Sequence, residues 1–242
     1  MAKATAAPSL PPLLAFGAHP DDIEFGAGGI IALETAAGRP VHFVVCSRGE
    51  SGTNGSPAVR TAEAEKAAAL LGATLEFADL GGDAHFVPSL AHSLTIATII
   101  RRVRPGLVLA PTVNENQHPD HSVLGKIVRN AARLARYGGV AELRDTPAHA
   151  IDTLLHYAIT SDAEARDATP VLVDVSAVVP QWTAAMAAHA SQAATRDYAE
   201  LQLTRSRFHG LRAGIAHAIP LWPADPLVVH SLAALSHTAR RF

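Results

Sequence analysis

Short apolar runs alternate with helix-forming segments along the first part of the chain. The apolar runs have the length and composition of buried strands and fall at residues 13–19, 41–47, 74–80 and 106–111. The segments with helical spacing fall at residues 28–38, 58–72, 90–105 and 121–138. Continuous apolar strands that alternate with helices indicate a mostly parallel sheet with helices on both faces. We therefore predict an α/β fold.

The pattern loosens after about residue 150, where two more apolar runs precede a mostly helical stretch at 178–214. No linker, repeat or low-complexity tract separates this part from the rest. With 242 residues, 48% of them hydrophobic, the chain has enough apolar side chains for the core of one large domain. We predict a single domain over residues 1–242, with a core at about 12–195 and a helical or irregular C-terminal extension at 196–242.

Charge and cysteine content exclude several classes of protein. The formal net charge is −2 and no run of lysine or arginine occurs, so we expect neither nucleic acid nor an anionic membrane as a partner. The single cysteine, Cys46, excludes an internal disulfide framework and a thiolate zinc cluster. Pro8, Pro11 and Pro12 interrupt the apolar N-terminal stretch, which argues against a secretory signal. The expected compartment is the cytoplasm.

Three polar motifs directly follow predicted strands. They read AHPDD at 18–22, SRGESGTNG at 47–55 and NENQHPDHS at 114–122. The carboxyl ends of parallel strands meet at one edge of the sheet, where open α/β sheets bind their ligands, so we expect the motifs to converge. Two imidazoles and one carboxylate with an open position form a catalytic zinc site, and such ligands also suit Fe²⁺ or another first-row divalent ion.

The spacing of the two histidine motifs suggests a division of roles. His19 and Asp22 lie one helical turn apart and are predicted metal ligands, with His121 completing the set. Adjacent aspartates at a turn point in different directions. Asp21 is therefore predicted to stay off the metal and to act as the general base on a water molecule.

Two further residues of the second motif have predicted roles. His118 is predicted to face the substrate, and Asp120 to orient an imidazole without binding the metal itself. The ordinary alternative is that each His-Pro-Asp turn merely caps a helix. Two such turns, each after a buried strand, favour metal binding instead. The glycines at 26–29 superficially match a dinucleotide-binding fingerprint, but their spacing is wrong for one.

With these motifs the chain resembles the zinc-dependent N-deacetylases of the LmbE-like, or PIG-L, family, in particular its bacterial bacillithiol-biosynthesis branch. AHPDDIEFGAGG and QHPDHSVLG carry the resemblance, which extends through RGESGTNG to HASQ at 189–192. It implies a Rossmann-like fold, bound Zn²⁺, and hydrolysis of an acetyl group from an N-acetylglucosamine conjugate. It also implies a homo-oligomer, a trimer or hexamer, the same three metal ligands, Asp21 as base, and a protonated His118 that stabilises the oxyanion or protonates the leaving amine.

Four more residues are predicted to contact the substrate. Arg60 resembles a family arginine that holds the sugar or its aglycone. Glu50 and Asn54, in the glycine-rich loop, carry groups that hydrogen-bond sugar hydroxyls, and His189 in HASQ is a further candidate. Other interpretations stay open: a solvated helix-terminal charge for Arg60, and a capping or core role for His189.

Other functions and one departure from the family pattern also need to be considered. A zinc amidase acting on a thiol S-conjugate or another non-acetyl amide is the first alternative, and a non-catalytic sugar- or nucleotide-binding protein is the second. A two-metal phosphoesterase would need more carboxylates. Near the C-terminus His217 stands where many relatives carry an acid, and Trp222 is a candidate for an oligomer interface.

Overall fold

The structure is a computed structural model that describes residues 10–115, 118–194 and 196–240. Pro8 and the ends of the predicted domain therefore lie outside the described residues. Within them one sheet is built from strands β1 Leu13–Gly17, β2 Val41–Val45, β3 Thr74–Phe77, β4 Leu107–Pro111, β5 Thr153–Tyr157, β6 Val171–Asp174 and β7 Ala218–Pro223. The helices are α1 Asp22–Ala36, α2 Pro57–Leu70, α3 Leu90–Val103, α4 Pro119–Arg136, α5 Val179–Ala187 and α6 Tyr198–Ala213.

The sheet is mostly parallel. Its strand order is β3-β2-β1-β4-β5-β7-β6, and β1 to β5 pair in parallel, whereas β7 pairs antiparallel with both β5 and β6. The predicted α/β class with a mostly parallel sheet is confirmed.

Alternate residues of each central strand face two separate hydrophobic cores, as the pleat of a strand requires. On β1, Leu13 and Ala15 pack with side chains of α1, α2, α5 and α6. Leu14 and Phe16 pack against α3 and α4 on the other face. Helices therefore cover both faces, and β1 with its neighbours is buried on each side.

Helix α1 begins at Asp22, so the predicted start at residue 28 is wrong. Glycines within this helix allow it to pack closely, and they do not mark a loop. A Cβ at Gly26 would lie 2.3 Å from the ring of Tyr157, and one at Gly28 would lie 2.7 Å from that of Trp182. Helix propensity disfavours glycine, but the close packing of α1 on these two rings outweighs that cost.

Strand β7 lies within the stretch predicted to be a helical or irregular extension. It occupies the position between β5 and β6, so residues beyond 195 contribute to the sheet itself. Trp222 of this strand is only 6% exposed and packs on Ala158 and Ala163. The expectation that Trp222 serves an oligomer interface is therefore wrong, because its own chain covers it.

The order of the strands along the sheet reverses between β1 and β4, because the chain adds β2 and β3 on one side of β1 and adds β4 and β5 on the other. Strand β1 has β2 on one side and β4 on the other, and the helices that follow β1 and β4, α1 and α4, pack on opposite faces. This arrangement opens a crevice at the carboxyl ends of β1 and β4, the usual ligand position in such sheets.

In the described ranges, no helix is long and apolar enough to cross a membrane.

Candidate metal centre

The two histidine motifs meet at this crevice. His19 follows β1, and Asp120 lies in the first turn of α4. Although these residues are 101 positions apart in sequence, Nε2 of His19 lies 3.3 Å from Oδ2 of Asp120. The expected convergence of the strand-exit motifs is therefore seen in the structure.

Three imidazoles form the centre of the site. The ring of His19 lies 4.3 Å from that of His118 and 5.2 Å from that of His121, measured between centroids. One ring nitrogen from each of the three lies within 4.8 Å of the other two. A cluster of this kind has the ligand chemistry and spacing for a divalent metal ion.

Asp22 places one carboxylate oxygen toward these rings. Its Oδ2 accepts backbone hydrogen bonds from Ala18 (2.8 Å) and His19 (2.9 Å). Its Oδ1 lies 3.1 Å from Nε2 of His121. Burial alone would raise the pKa of Asp22, but the His121 and His19 rings outweigh it and hold that pKa well below its usual range. Asp22 is therefore a carboxylate in the folded chain.

The two nitrogens of His19 face different partners. Nε2 lies 3.1 Å from Oδ1 of Asp83 and 3.3 Å from Oδ2 of Asp120, whereas Nδ1 lies 3.5 Å from Oδ2 of Asp22. Burial favours the neutral ring, but the carboxylates, Asp22 foremost, outweigh it and raise the pKa of His19 well above its usual value. A pocket that concentrates negative charge in this way favours a cation.

Asp83 is a site residue that the sequence analysis missed. It lies in the loop after β3, is 4% exposed, and its Oδ1 is also 3.9 Å from Nε2 of His118. With His19 and Asp120 it forms a second group able to hold a metal. The available signal was its position after the third predicted strand, at the same edge of the sheet. Asp83 stands in GGDAH at 81–85, which does not match the His-Pro-Asp pattern of the two motifs.

Asp21 differs from Asp22 in its backbone conformation and in the direction in which its pKa is shifted. Its φ is 127°, a left-handed value that costs energy in a residue other than glycine. Burial and the adjacent Asp22 carboxylate raise the pKa of Asp21 to about 6, against the opposing effect of Arg60. Two adjacent carboxyl groups whose pKa values are pushed apart are typical of a division between electrostatic and acid–base roles.

His118 stands at the exposed side of the cluster, with 42% of its side chain exposed. Burial, together with the nearby His19 and His121 rings, lowers the pKa of His118. The carboxylates of Asp22 and Asp120 oppose this shift and favour the protonated ring.

A cavity of about 510 Å³ opens over the cluster. Its polar lining includes the histidines, the aspartates, Asn54 and Arg60, and its apolar lining includes Phe25, Ile159 and Leu201. A larger cavity of about 750 Å³ lies between α4 and residues 224–230, and none of the candidate metal ligands lines it. The chemistry therefore belongs to the smaller cavity.

Glu50 and His189, two of the residues predicted to contact the substrate, interact with other groups of the protein. Both carboxylate oxygens of Glu50 accept backbone hydrogen bonds, 3.0 Å from Arg48 and 3.1 Å from Asp83, and Glu50 does not line the cavity. His189 is 1% exposed and lies 3.5 Å from the carboxylate of Glu24. Glu50 thus shapes the loop that presents Asp83, and His189 belongs to a buried pair beside the site.

Fold and site together define a class: an α/β protein with a histidine–carboxylate cluster at the switch point of a mostly parallel sheet. A family model described as PIG-L, GlcNAc-PI de-N-acetylase, matches residues 14–132. Residues 14–132 therefore match the PIG-L, or LmbE-like, family, which confirms the resemblance seen in the sequence.

Individual relatives show how far the similarity extends. The 4-oxalmesaconate hydratase of Pseudomonas putida is 31% identical over 141 residues, 52% of this chain and 53% of the hydratase, so the chain spans about half of that protein. A probable N-acetyl-α-D-glucosaminyl L-malate deacetylase 2 of Bacillus cereus is 29% identical over 198 residues, 72% of this chain and 80% of that one. The conserved protein TT1542 of Thermus thermophilus has a similar structure, with a TM-score of 0.78 and 28% identity, covering 91% of this chain and 97% of TT1542. The family is one of deacetylases, which are hydrolases, and metal dependence is a general feature of it.

Proposed function

We propose that the chain is a zinc-dependent N-deacetylase that hydrolyses the acetyl amide of an N-acetylglucosamine conjugate. The observation that carries the proposal is the meeting of three imidazoles and Asp22 in one crevice, with a second carboxylate, Asp21, beside them. A protein that only binds a sugar or nucleotide has no need for this second carboxylate.

The residues present fit a divalent cation. His121 is 6% exposed, and in the described part of the chain neither of its ring nitrogens has an aligned hydrogen-bond partner. An imidazole buried without aligned hydrogen bonds costs free energy that a bound cation removes, and the Asp22 oxygen 3.1 Å from Nε2 of His121 supplies negative charge for such a cation. His19, Asp22 and His121 would hold the ion. When bound, zinc supplies Lewis acidity, which polarises a carbonyl and makes water acidic near neutral pH.

Asp21 and His118 are the groups left to move protons. Asp21 accepts a proton from the attacking water as the C–O bond to the acetyl carbon forms. The C–N bond then breaks, the amine nitrogen takes up a proton, and acetate and a free amine leave. His118, which lines the same cavity, is placed to donate a hydrogen bond to the oxyanion and to deliver that proton.

The cavity supports a sugar conjugate as substrate. Its volume of about 510 Å³ exceeds that of one sugar ring, and its lining is partly polar and partly apolar. Asn54 and the proposed metal ligands are among its polar lining residues. Phe25 and Tyr198 also line it and supply aromatic rings on which a sugar or its aglycone could pack. The relative from Bacillus cereus, named for an N-acetylglucosaminyl malate, supports this class.

Incubation with a panel of N-acetylglucosamine conjugates tests the proposal, with acetate and primary amine both quantified. Wild type is expected to release the two in equal amounts, and Asp21→Asn to lose about two or more orders of magnitude in kcat while keeping its zinc. An amine released with an acid other than acetate would instead identify an amidase. Hydration of 4-oxalmesaconate without acetate release would show the activity for which the Pseudomonas putida relative is named.

The predicted homo-oligomer, a trimer or hexamer, is also part of the proposal. Its support is a run of exposed apolar side chains near the C-terminus: Leu227, Val228, Val229, Leu232 and Leu235, exposed by 44–83%. Light scattering after size-exclusion chromatography measures the mass directly. A monomer at all concentrations would contradict this part of the proposal.

A further inference from the structure

Arg60 lies in the first turn of α2 and is almost completely buried. Only 5% of the residue is exposed, which is unusual for an arginine. Its Nη2 donates to the backbone carbonyl of Pro20 at 3.0 Å and to Oδ2 of Asp21 at 3.2 Å. One terminal nitrogen thus holds the turn that carries Asp21 at two successive residues.

These two contacts fix a strained part of the backbone. Asp21 has φ 127°, and a residue other than glycine keeps such a value only when its surroundings enforce it. Arg60 binds the carbonyl just before Asp21 and the side chain of Asp21 itself. It therefore restrains both the backbone and the carboxylate of the residue that the proposed reaction uses as its base.

The glycine-rich loop is shaped around the same guanidinium group. A Cβ at Gly49 would lie 1.9 Å from Nη1 of Arg60, and one at Gly52 would lie 2.9 Å from it. A Cβ at Gly55 would lie 3.2 Å from Cγ of Arg60. Three glycines in seven residues therefore face one side chain, and any larger residue at Gly49 would displace it.

The loop is in turn fixed from outside by the turn after α5. Both the backbone N–H and the hydroxyl of Ser191 donate to the carboxylate of Glu63, at 2.7 and 2.6 Å. Gln192 donates to the backbone carbonyl of Asn54 at 2.9 Å. The HASQ segment thus holds the loop against α2, and the loop holds Arg60.

We propose that Arg60 is a positioning residue for Asp21, seated by the glycines of the RGESGTNG loop, and that it does not serve mainly to hold the substrate. This inference rests on the proposed function, because it takes Asp21 as the base. It differs from the role expected from the sequence, in which Arg60 contacts the sugar. Both roles fit a residue that lines the cavity, so kinetics must separate them.

Steady-state kinetics on an N-acetylglucosamine conjugate that wild type turns over separates the two roles. Arg60→Lys keeps the charge but loses the planar fork. A displaced base costs up to about 100-fold in rate. We expect kcat to fall by about 10- to 100-fold with KM within about twofold of wild type. A rise in KM at unchanged kcat would overturn the inference and restore the substrate-holding role.

A matched pair of glycine variants displaces Arg60 without replacing it. Gly49→Ala introduces the clash with Nη1 at a φ of 69°, and Gly38→Ala introduces comparable backbone strain at a φ of 81° with nothing within 4 Å. We expect Gly49→Ala to lower kcat as Arg60→Lys does, and Gly38→Ala to leave kcat and KM unchanged. Equal kinetics for the two variants would contradict the seating role of the loop.

Two further measurements test the positioning role, and the second of them also separates it from the proposed function. Added guanidinium ion is expected to restore part of the kcat lost in Arg60→Ala, whereas loss of general structure would not respond. A double-mutant cycle of Arg60→Gln and Asp21→Asn on thermal unfolding needs no substrate. Non-additive shifts in Tm support the contact even if no conjugate is hydrolysed, and additive shifts overturn it even if wild type is active.

Discussion

Replacement of Asp120 tests how the site fixes the orientation of His19. Oδ2 of Asp120 lies 3.3 Å from Nε2 of His19 and accepts a 2.7 Å hydrogen bond from the backbone N–H of Ala84. Asp120→Asn keeps an oxygen for Ala84 but removes the charge that faces the imidazole. Asp120→Ala removes both interactions, so the two variants separate the effect on the metal from the effect on the fold.

The magnitudes follow from these two contacts. A carboxylate that orients a ligating histidine typically contributes about 10- to 100-fold to metal affinity. We therefore expect the zinc Kd to rise by about 10- to 100-fold in both variants, or about 1.4–2.7 kcal/mol. Only Asp120→Ala also leaves the Ala84 N–H without its acceptor, which lowers the free energy of unfolding by about 1 kcal/mol more.

Competition with a chromophoric chelator measures the Kd, and urea unfolding measures stability. Asp145→Asn is the matched control, because Asp145 is an exposed aspartate outside the site. Wild-type zinc affinity in Asp120→Asn would refute the idea that this carboxylate orients His19.

Two further predictions concern the packing and the buried charges beside the site. Gly26→Ala places a Cβ 2.3 Å from the ring of Tyr157 and is expected to lower the free energy of unfolding by about 1–3 kcal/mol in urea, whereas Gly138→Ala, with nothing within 4 Å, should change it by less than about 0.5 kcal/mol. Burial lowers the pKa of His189, but the Glu24 carboxylate outweighs it, so the net shift is upward. Since the folded pKa exceeds the unfolded one, the stabilisation is full below the unfolded value and is lost as pH rises through the folded value. The stability difference between wild type and His189→Gln should therefore be larger at about pH 5.5 than at about pH 8.5, and an equal or reversed difference would contradict the pairing.

Much of the fold could be predicted because its main signals are local. Each of the first four strands is a largely apolar run followed by a helical segment, and that alternation has few solutions other than a parallel sheet. The same rule places the ends of β1 and β4 at one edge. The convergence of His19 and His121 therefore follows from two short motifs and their positions after strands.

The features that sequence reasoning missed depend on contacts between distant residues. Gly26 disfavours a helix by itself, and only the ring of Tyr157 packed against it explains why α1 includes it. Strand β7 contains two prolines, which disfavour a strand, and it forms one because β5 and β6 flank it. Asp83 enters the site through its distance to His19, which a lone aspartate in a loop does not reveal.

The role of Arg60 also depends on contacts between residues that are distant in sequence. A resemblance to a family arginine indicated that the residue matters, but not which group it contacts. Its burial, its bonds to Pro20 and Asp21, and the glycines around it are all properties of the folded chain. The role of a charged residue near a site is therefore assigned from its partners.

The central claim is that two distant turns bind one divalent cation and leave Asp21 free beside it. Anomalous diffraction from zinc-loaded crystals, collected at the zinc absorption edge, tests it most directly. The account predicts one strong peak per chain, about 2.0–2.2 Å from a nitrogen of His19, a nitrogen of His121 and an oxygen of Asp22, with Asp21 not coordinated. A peak held instead by His19, Asp83 and Asp120, or no peak at either group, would contradict the claim.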